Sequence, residues 1–240
     1  MIKDTDCLIL CGGKGSRLKE LTGNIPKPMI RIGKRVFLDI LIGYLHSAGF
    51  KRFILGLGYG ADYIREYYSK NKLAGIEIVF SKESRPLGTG GAVKKAGRLI
   101  KSEDFMVING DSFSDFSLRG FFDFYKKKKA KVAILLKEMK DNKDYGFVAV
   151  NANSEVTLFN EKVQRKKNSY INSGVYLFNK EIFSVMPKKP VFSLEYDFFP
   201  KIIGKGVYGY KGKSLFIDIG TPERYRKAKN YFLGKKRVLN

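Results

Sequence analysis

Short apolar runs alternate along the chain with segments whose apolar residues recur every three or four positions, and that alternation predicts its architecture. The run Cys7-Leu8-Ile9-Leu10-Cys11 is apolar throughout, as a strand buried on both faces requires. A glycine-rich stretch and a proline-bearing segment follow. The spacing then predicts a helix over Phe37–Ser47, a strand over Arg52–Leu57, a helix over Asp62–Tyr68, a strand over Ile76–Phe80 and a helix from about Thr89. A strand over Phe105–Ile108 runs into Asn109-Gly110-Asp111, and one more helix and the strand Val132–Leu136 follow. Strands alternating with helices imply an α/β fold with a doubly wound, mostly parallel, Rossmann-like sheet.

Beyond about residue 140 the rhythm changes. Phe147–Val150, Val156–Phe159 and Ile171–Phe178 read as strands in close succession. Helices near Lys180–Val185 and Leu194–Ile203, a short hairpin ending in Phe216-Ile217 and a helix from Pro222 follow. Neither a linker nor a repeat interrupts the pattern. Residues 1–240 are expected to form one domain, in which 141–240 is a lobe completing the sheet begun by 1–140.

Composition narrows the class. At 240 residues and 44% hydrophobic content, the chain can bury a full core. No apolar stretch approaches the roughly 20 residues of a membrane helix. The segment from Met1 to Asp6 has the features of neither a signal nor a transit peptide, so a cytoplasmic location is expected. Cys7 and Cys11 share one predicted strand, which sets their Cα atoms about 13 Å apart, too far for a disulfide. His46 is the single histidine, which argues against zinc clusters and histidine-based triads. A catalytic metal would need oxygen ligands, which points to Mg²⁺ or Mn²⁺.

The formal charge of +23 raises nucleic-acid binding. No helix-turn-helix, RNP-like aromatic pattern or zinc-finger spacing accompanies it, and Lys126-Lys127-Lys128-Lys129 reads equally well as a solvated face. The same charge would steer polyphosphate substrates. A homo-oligomer is compatible with this composition.

Candidate chemistry begins at Gly12-Gly13-Lys14-Gly15-Ser16-Arg17-Leu18, directly after the first strand. Three glycines in four positions let the backbone approach phosphates, although a tight turn would use them too. Arg17 adds a planar donor fork. The loop is not a Walker A sequence, because Gly15 follows Lys14. In Ile25-Pro26-Lys27-Pro28-Met29, two prolines restrict where the lysine can point.

These two segments resemble the GGxGTRL loop and PKP segment of the sugar-1-phosphate nucleotidylyltransferase superfamily. Ser16 stands in place of the usual threonine, and no proline follows Leu18 in Lys19-Glu20-Leu21-Thr22. The resemblance continues in order through Pro86-Leu87-Gly88-Thr89-Gly90-Gly91-Ala92, Asn109-Gly110-Asp111, Tyr145-Gly146, Glu161-Lys162, Asn172-Ser173-Gly174-Val175-Tyr176 and Phe216-Ile217-Asp218-Ile219-Gly220-Thr221-Pro222-Glu223. With Phe192-Ser193-Leu194-Glu195-Tyr196-Asp197-Phe198-Phe199, several of these phrases are similar to those of D-glycero-α-D-manno-heptose 1-phosphate guanylyltransferases.

The resemblance implies transfer of a nucleotidyl group from a nucleoside triphosphate, GTP by the closer likeness, to a sugar 1-phosphate, with pyrophosphate released. It implies a nucleotide-binding core over 1–140 and a sugar-phosphate-binding lobe over 141–240. Gly12, Gly13, Gly15, Ser16, Gly88 and Thr89 would hold the nucleotide, and Arg17, Lys27 and Asp111 would be catalytic. Tyr145, Gly146, Glu161, Lys162, Asn172 and Gly174 would hold the sugar phosphate, and Asp111 and Asp218 would bind Mg²⁺. Simpler roles stay open: Asp111 as a turn cap, Glu161-Lys162 as a surface pair, Asn172 as a turn residue.

Glu83 stands where relatives place the side chain that reads the base. A carboxylate only accepts hydrogen bonds, and guanine offers adjacent N1–H and N2–H donors. Uracil and thymine would set carbonyls against it, while the cytosine amino group is a weaker match. A solvent-facing Glu83 is the alternative. Cytidylyl, uridylyl or thymidylyl transfer to another sugar or amino-alcohol phosphate also remains open, as does a non-catalytic or nucleic-acid-binding relative.

Overall fold

The computed structural model describes residues 2–13, 15–18, 23–139, 145–160, 169–212 and 215–234. Its central element is a nine-stranded sheet, begun by β1 (Asp6–Leu10), β4 (Arg52–Leu57), β5 (Glu77–Lys82) and β6 (Asp104–Asn109). These four run parallel in the order β5-β4-β1-β6. The chain thus winds from β1 to one side, then returns to β1's other side. A crevice opens where the winding reverses, at the carboxyl ends of β1 and β6, the general place for ligands in open α/β sheets.

Helices cover both faces. In β1, Cys7 and Ile9 enter one core and Leu8 the other. In β6, Met106 and Ile108 face one way, Phe105 and Val107 the other. This double burial is why these strands are apolar without alternation. On the first face pack α1 (Phe37–Ser47), α2 (Ala61–Lys70), α4 (Leu118–Lys127) and α7 (Pro222–Gly234). On the second lie α3 (Gly88–Ala96), α5 (Ile182–Val185), a π-helical turn (Leu194–Phe198) and α6 (Phe199–Ile202). Fully buried aromatics anchor each layer, Phe37, Phe122 and Phe232 on one side and Phe178, Phe198 and Phe199 on the other. Each such side chain contributes about 1.5–3 kcal/mol.

The second half joins the same sheet. β11 (Ser169–Asn179) pairs antiparallel with β6, with β8 (Val132–Met139) and with β9 (Phe147–Val150), to which β10 (Val156–Asn160) adds. The sheet is therefore mixed: the parallel core lies as expected and the lobe adds antiparallel strands.

The hairpin expected before Phe216-Ile217 does not form. β12 (Val207–Lys211) pairs parallel with β8, satisfying the backbone of that strand's outer edge. β13 (Leu215–Asp218) leaves the sheet and pairs antiparallel with β7 (Ser112–Asp115), a strand that the Asn-Gly-Asp turn signal conceals. A second small ribbon, β2 (Arg31–Ile32) with β3 (Arg35–Val36), follows the proline segment. Cys7 and Cys11 are free and buried, and burial pushes both thiols well above their usual range, so they are inert core groups. Among the described residues no helix is long and apolar enough to cross a membrane.

The proline segment is pinned to the parallel core. Lys27–Met29 form a single 3₁₀ turn closed by Met29 N–H donating to Pro26 O at 2.8 Å, with Pro28 and Met29 buried. Pro26 rests on Gly60, whose φ is +67°. A methyl group there would lie 2.1 Å from Pro26 Cγ, so no other residue fits without moving the segment. Gly60→Ala is expected to lower stability by about 1–3 kcal/mol in urea unfolding. An unchanged midpoint would show that Pro26 is not held against this position.

Candidate active site

Two carboxylates define the site, and the β7–β13 ribbon brings them together across more than a hundred residues of chain. Its register sets Asp218 opposite Ser112, the residue after Asp111. Ile219 N–H also donates to the Asp111 carbonyl at 3.0 Å, which locks the two strand ends together. Gly220 N–H donates to Asp218 Oδ1 at 2.8 Å, so the carboxylate folds back over its own turn. A side chain at Gly220 would meet that oxygen at 2.7 Å.

Cations face both acids. Lys27 Nζ donates to Asp111 Oδ2 at 2.5 Å, and its side chain is only 12% exposed. The same ammonium lies beside Gly220, on the Asp218 side of the site. Gly15 packs on the Lys27 stem, so the glycine loop and the proline segment support each other. Arg224 Nη1 donates to Asp218 Oδ1 at 3.2 Å, while Tyr145 Oη donates to Oδ2 of the same carboxylate. The Arg224 guanidinium stands 4.6 Å from the centre of the Tyr145 ring, which packs edge-on against Phe216.

A cavity of about 280 Å³ gathers these groups. Arg17, Lys27, Asp111, Tyr145, Gly146, Asn172, Gly174 and Asp218, all anticipated from sequence, line it. So do Glu195 and Tyr196, whose phrase carries the resemblance without implying a site role, and Arg224, which the sequence pattern does not single out. A cation in the first turn of a helix faces the positive end of the helix dipole. Arg224, two residues after Pro222, breaks that rule, and this is the signal by which sequence could have found it.

In β11, the Asn172 amide is engaged at both ends. Its Oδ1 accepts from Gly174 N–H at 3.0 Å, and its Nδ2 donates to Tyr176 Oη at 2.7 Å. Tyr176 Oη donates onward to Glu195 Oε1 at 3.2 Å. Glu195 Oε2 accepts from Thr89 Oγ1 at 2.5 Å and from Ser193 Oγ at 2.6 Å. Thr89 therefore ties the start of α3 to the π-helical turn, and Gly88 lies against the Phe192 carbonyl. Neither lines the cavity. Glu161 and Lys162 lie outside the described residues, as does the Ser16 side chain.

Gly12 and Glu83 meet each other outside the cavity. The loop leaves β1 along the end of β4, with Tyr59 N–H donating to the Gly12 carbonyl at 3.2 Å and Gly58 in close contact. Glu83 Oε1 would lie 3.6 Å from a methyl group on Gly12, whereas Gly13 is open on its outer side. Glu83 Oε2 accepts from Leu87 N–H at 3.2 Å, which fixes the carboxylate and leaves acceptor capacity on both oxygens. Burial raises the Glu83 pKa, while the Leu87 amide and Lys95 oppose that rise.

The donor set suits a hard cation. Asp111 and Asp218 offer carboxylate oxygens from adjacent strand ends, and 40% of the Asp111 side chain is exposed. Among the described residues no cluster of three or more His, Cys, Asp or Glu side chains could enclose a metal. Two carboxylates with waters and phosphate oxygens form the usual Mg²⁺ arrangement, so the residues present fit that ion.

Known proteins share this arrangement of elements. The nucleotidyl transferase family model matches residues 6–234. The chain is 40% identical over 224 residues to the D-glycero-alpha-D-manno-heptose 1-phosphate guanylyltransferase of Aneurinibacillus thermoaerophilus, covering 93% of this chain and 96% of that one. Identity to the protein of the same name from Campylobacter jejuni is 39%, over 91% of this chain and 96% of the relative. The crystal structure of HddC from Yersinia pseudotuberculosis superposes with a TM-score of 0.85 at 38% identity, over 95% of this chain and 99% of that one. HddC complexed with GMP-PN gives 0.84 at 36% identity, with the same coverage. On the match of its sequence over nearly its whole length, the chain belongs to the nucleotidyl transferase family.

Proposed function

We propose that the protein transfers the guanylyl group of GTP to D-glycero-α-D-manno-heptose 1-phosphate, releasing pyrophosphate and forming a GDP-heptose for surface polysaccharide. The observation that carries this reading is the meeting of Arg17, Lys27, Asp111 and Asp218 in one cavity at the switch point of the sheet. The similarity to heptose 1-phosphate guanylyltransferases, over more than nine-tenths of both chains, supports the choice of sugar and base. Residues 1–140 then serve as the nucleotide core and 141–240 as the sugar-phosphate lobe, acting in the cytoplasm where GTP is available.

A phosphate oxygen of the sugar phosphate attacks the α-phosphorus of GTP in line, and the bond from that phosphorus to the β-phosphate oxygen breaks. The nucleophile is already ionised near neutral pH, so no general base is required. Catalysis then rests on positioning two polyanions and cancelling their charge. Gly12 and Gly13 let the nucleotide lie against the backbone, and Glu83 receives the guanine N–H groups beside them. Arg17 meets the departing pyrophosphate, and Lys27, released from Asp111, meets the α-phosphate. Tyr145, Gly146 and the turn braced by Asn172 and Gly174 shape the sugar side, with Glu161 and Lys162 completing it. Asp111 and Asp218 would hold Mg²⁺, which would supply Lewis acidity and a template for the phosphates there.

Arg17→Ala and Lys27→Ala should each lower kcat by roughly 10²–10³-fold with smaller changes in KM, because both cations meet charge that grows towards the transition state. A pure KM effect in steady-state kinetics would make them ground-state binders only.

Pyrophosphate release over a matrix of nucleotides and sugar phosphates tests the reaction itself, with GTP and the heptose 1-phosphate expected to give the highest kcat/KM. In the same assay Glu83→Gln should cost GTP about 1.5–3 kcal/mol or less and narrow the preference over UTP. The pH dependence has a definite sign. Because burial raises the Glu83 pKa, the carboxylate is lost at a higher pH than for an ordinary glutamate. The KM for GTP should therefore rise as pH falls towards that point, and Glu83→Gln should abolish the rise. A preference for another nucleotide removes the guanylyl assignment, and an unchanged GTP-to-UTP ratio removes Glu83 from base reading.

A further inference from the structure

Arg224 occupies a costly position. It sits in the first turn of α7, where the helix dipole disfavours a cation, and its side chain is only 18% exposed. Its guanidinium reaches into the cavity, 3.2 Å from Asp218 Oδ1 and over the Tyr145 ring at 4.6 Å. Tyr145 Oη donates to the other oxygen of the same carboxylate. Asp218 is thus gripped from two sides by groups of the cavity wall, as Asp111 is by Lys27.

A dication bound by Asp218 and a guanidinium donating to the same carboxylate repel each other. Metal binding therefore weakens the hold of the guanidinium on Asp218 and favours its turning to another anion. The tether of Arg224 keeps its guanidinium inside the cavity, beside Tyr145 and Gly146, where a sugar phosphate has room. Five N–H donors in a planar fork match a phosphate monoester, which carries nearly two negative charges near neutral pH. Among the described cations of the cavity, Arg17 and Lys27 serve the phosphates of the nucleotide in the proposed reaction, which leaves Arg224 for the second anion, in addition to Lys162.

We propose that Arg224 is a substrate-binding residue with two successive partners: it holds Asp218 in the free enzyme, and on metal binding it turns to the phosphate of the sugar 1-phosphate. This deepens the reaction proposed above and rests on it for the identity of the phosphate ester.

The test uses Arg224→Gln and Arg224→Lys in the full chain, each checked for an unchanged thermal unfolding profile. Mn²⁺ binding to the substrate-free protein is read by electron paramagnetic resonance, and heptose 1-phosphate binding in the presence of Mn²⁺ by calorimetry. In Arg224→Gln, Mn²⁺ should bind several-fold more tightly, because a competing cation has gone. Heptose 1-phosphate should bind about 10–100-fold more weakly, while the KM for GTP stays within about twofold. Arg224→Lys keeps the charge and loses the fork, so Mn²⁺ affinity should stay near wild type and sugar-phosphate affinity should fall part of the way. Unchanged or weaker Mn²⁺ binding in Arg224→Gln overturns the first partner, and undiminished sugar-phosphate binding overturns the second. Neither measurement needs turnover. A wild-type protein that binds both ligands without releasing pyrophosphate sinks the proposed reaction and leaves the role of Arg224 intact.

Discussion

The pairing of β13 with β7 is the constraint on which the site depends. Two carboxylates cannot be set side by side in a protein without compensation, since each loses hydration and repels the other. Here their spacing is fixed by backbone, through the Asp218–Ser112 register and the Ile219 N–H bond to Asp111. Side-chain cations then offset the charge. The tight turn at Gly220 completes the geometry, because a side chain there would push the Asp218 carboxylate aside. A long stretch of chain separates the two acids, so they do not come together until β13 has docked on β7.

The remaining elements arrange charge around that pair. The cavity is lined by the cations Arg17, Lys27 and Arg224 and the anions Asp111, Asp218 and Glu195. Glu195 is taken up by three hydroxyl donors and acts as a brace, joining the start of α3 to β11 through Tyr176 and Asn172. The brace links the two elements across the cavity's rim, and it lies in a π-helical turn, a geometry that recurs at functional sites. For a reaction whose difficulty is bringing anions together, fixed cations in a partly enclosed cavity are the main means available to the protein.

Much of this was legible in the sequence, for identifiable reasons. Strands buried on both faces announce themselves as uninterrupted apolar runs, so β1, β4 and β6 were evident, and α1 followed from its 3.6-residue period. The small ribbon was not. β7 follows an Asn-Gly-Asp turn signal and alternates serine with phenylalanine, while β13 is half-exposed, so local pattern could not show that they belong together. The hairpin expected there does not form because its two strands take other partners, β12 along the outer edge of β8 and β13 on β7. Lys27 stood out through its two prolines. Arg224 did not, because its one signal, a cation in the first turn of the helix from Pro222, is faint among 46 basic residues until its burial is known. Asn172 shows a related limit: sequence marks the turn, whereas only geometry reveals that its amide is engaged with Gly174 and Tyr176.

The central claim is that Asp111 and Asp218 act as one metal-binding unit assembled by the ribbon. A double-mutant cycle on Mn²⁺ affinity, using Asp111→Asn, Asp218→Asn and the double variant with a non-hydrolysable GTP analogue bound, tests it most directly. The account predicts that each single change weakens Mn²⁺ binding at least about tenfold, with an interaction energy of about 0.5–3 kcal/mol between the two positions. Strictly additive losses, or wild-type affinity in either single variant, would contradict it.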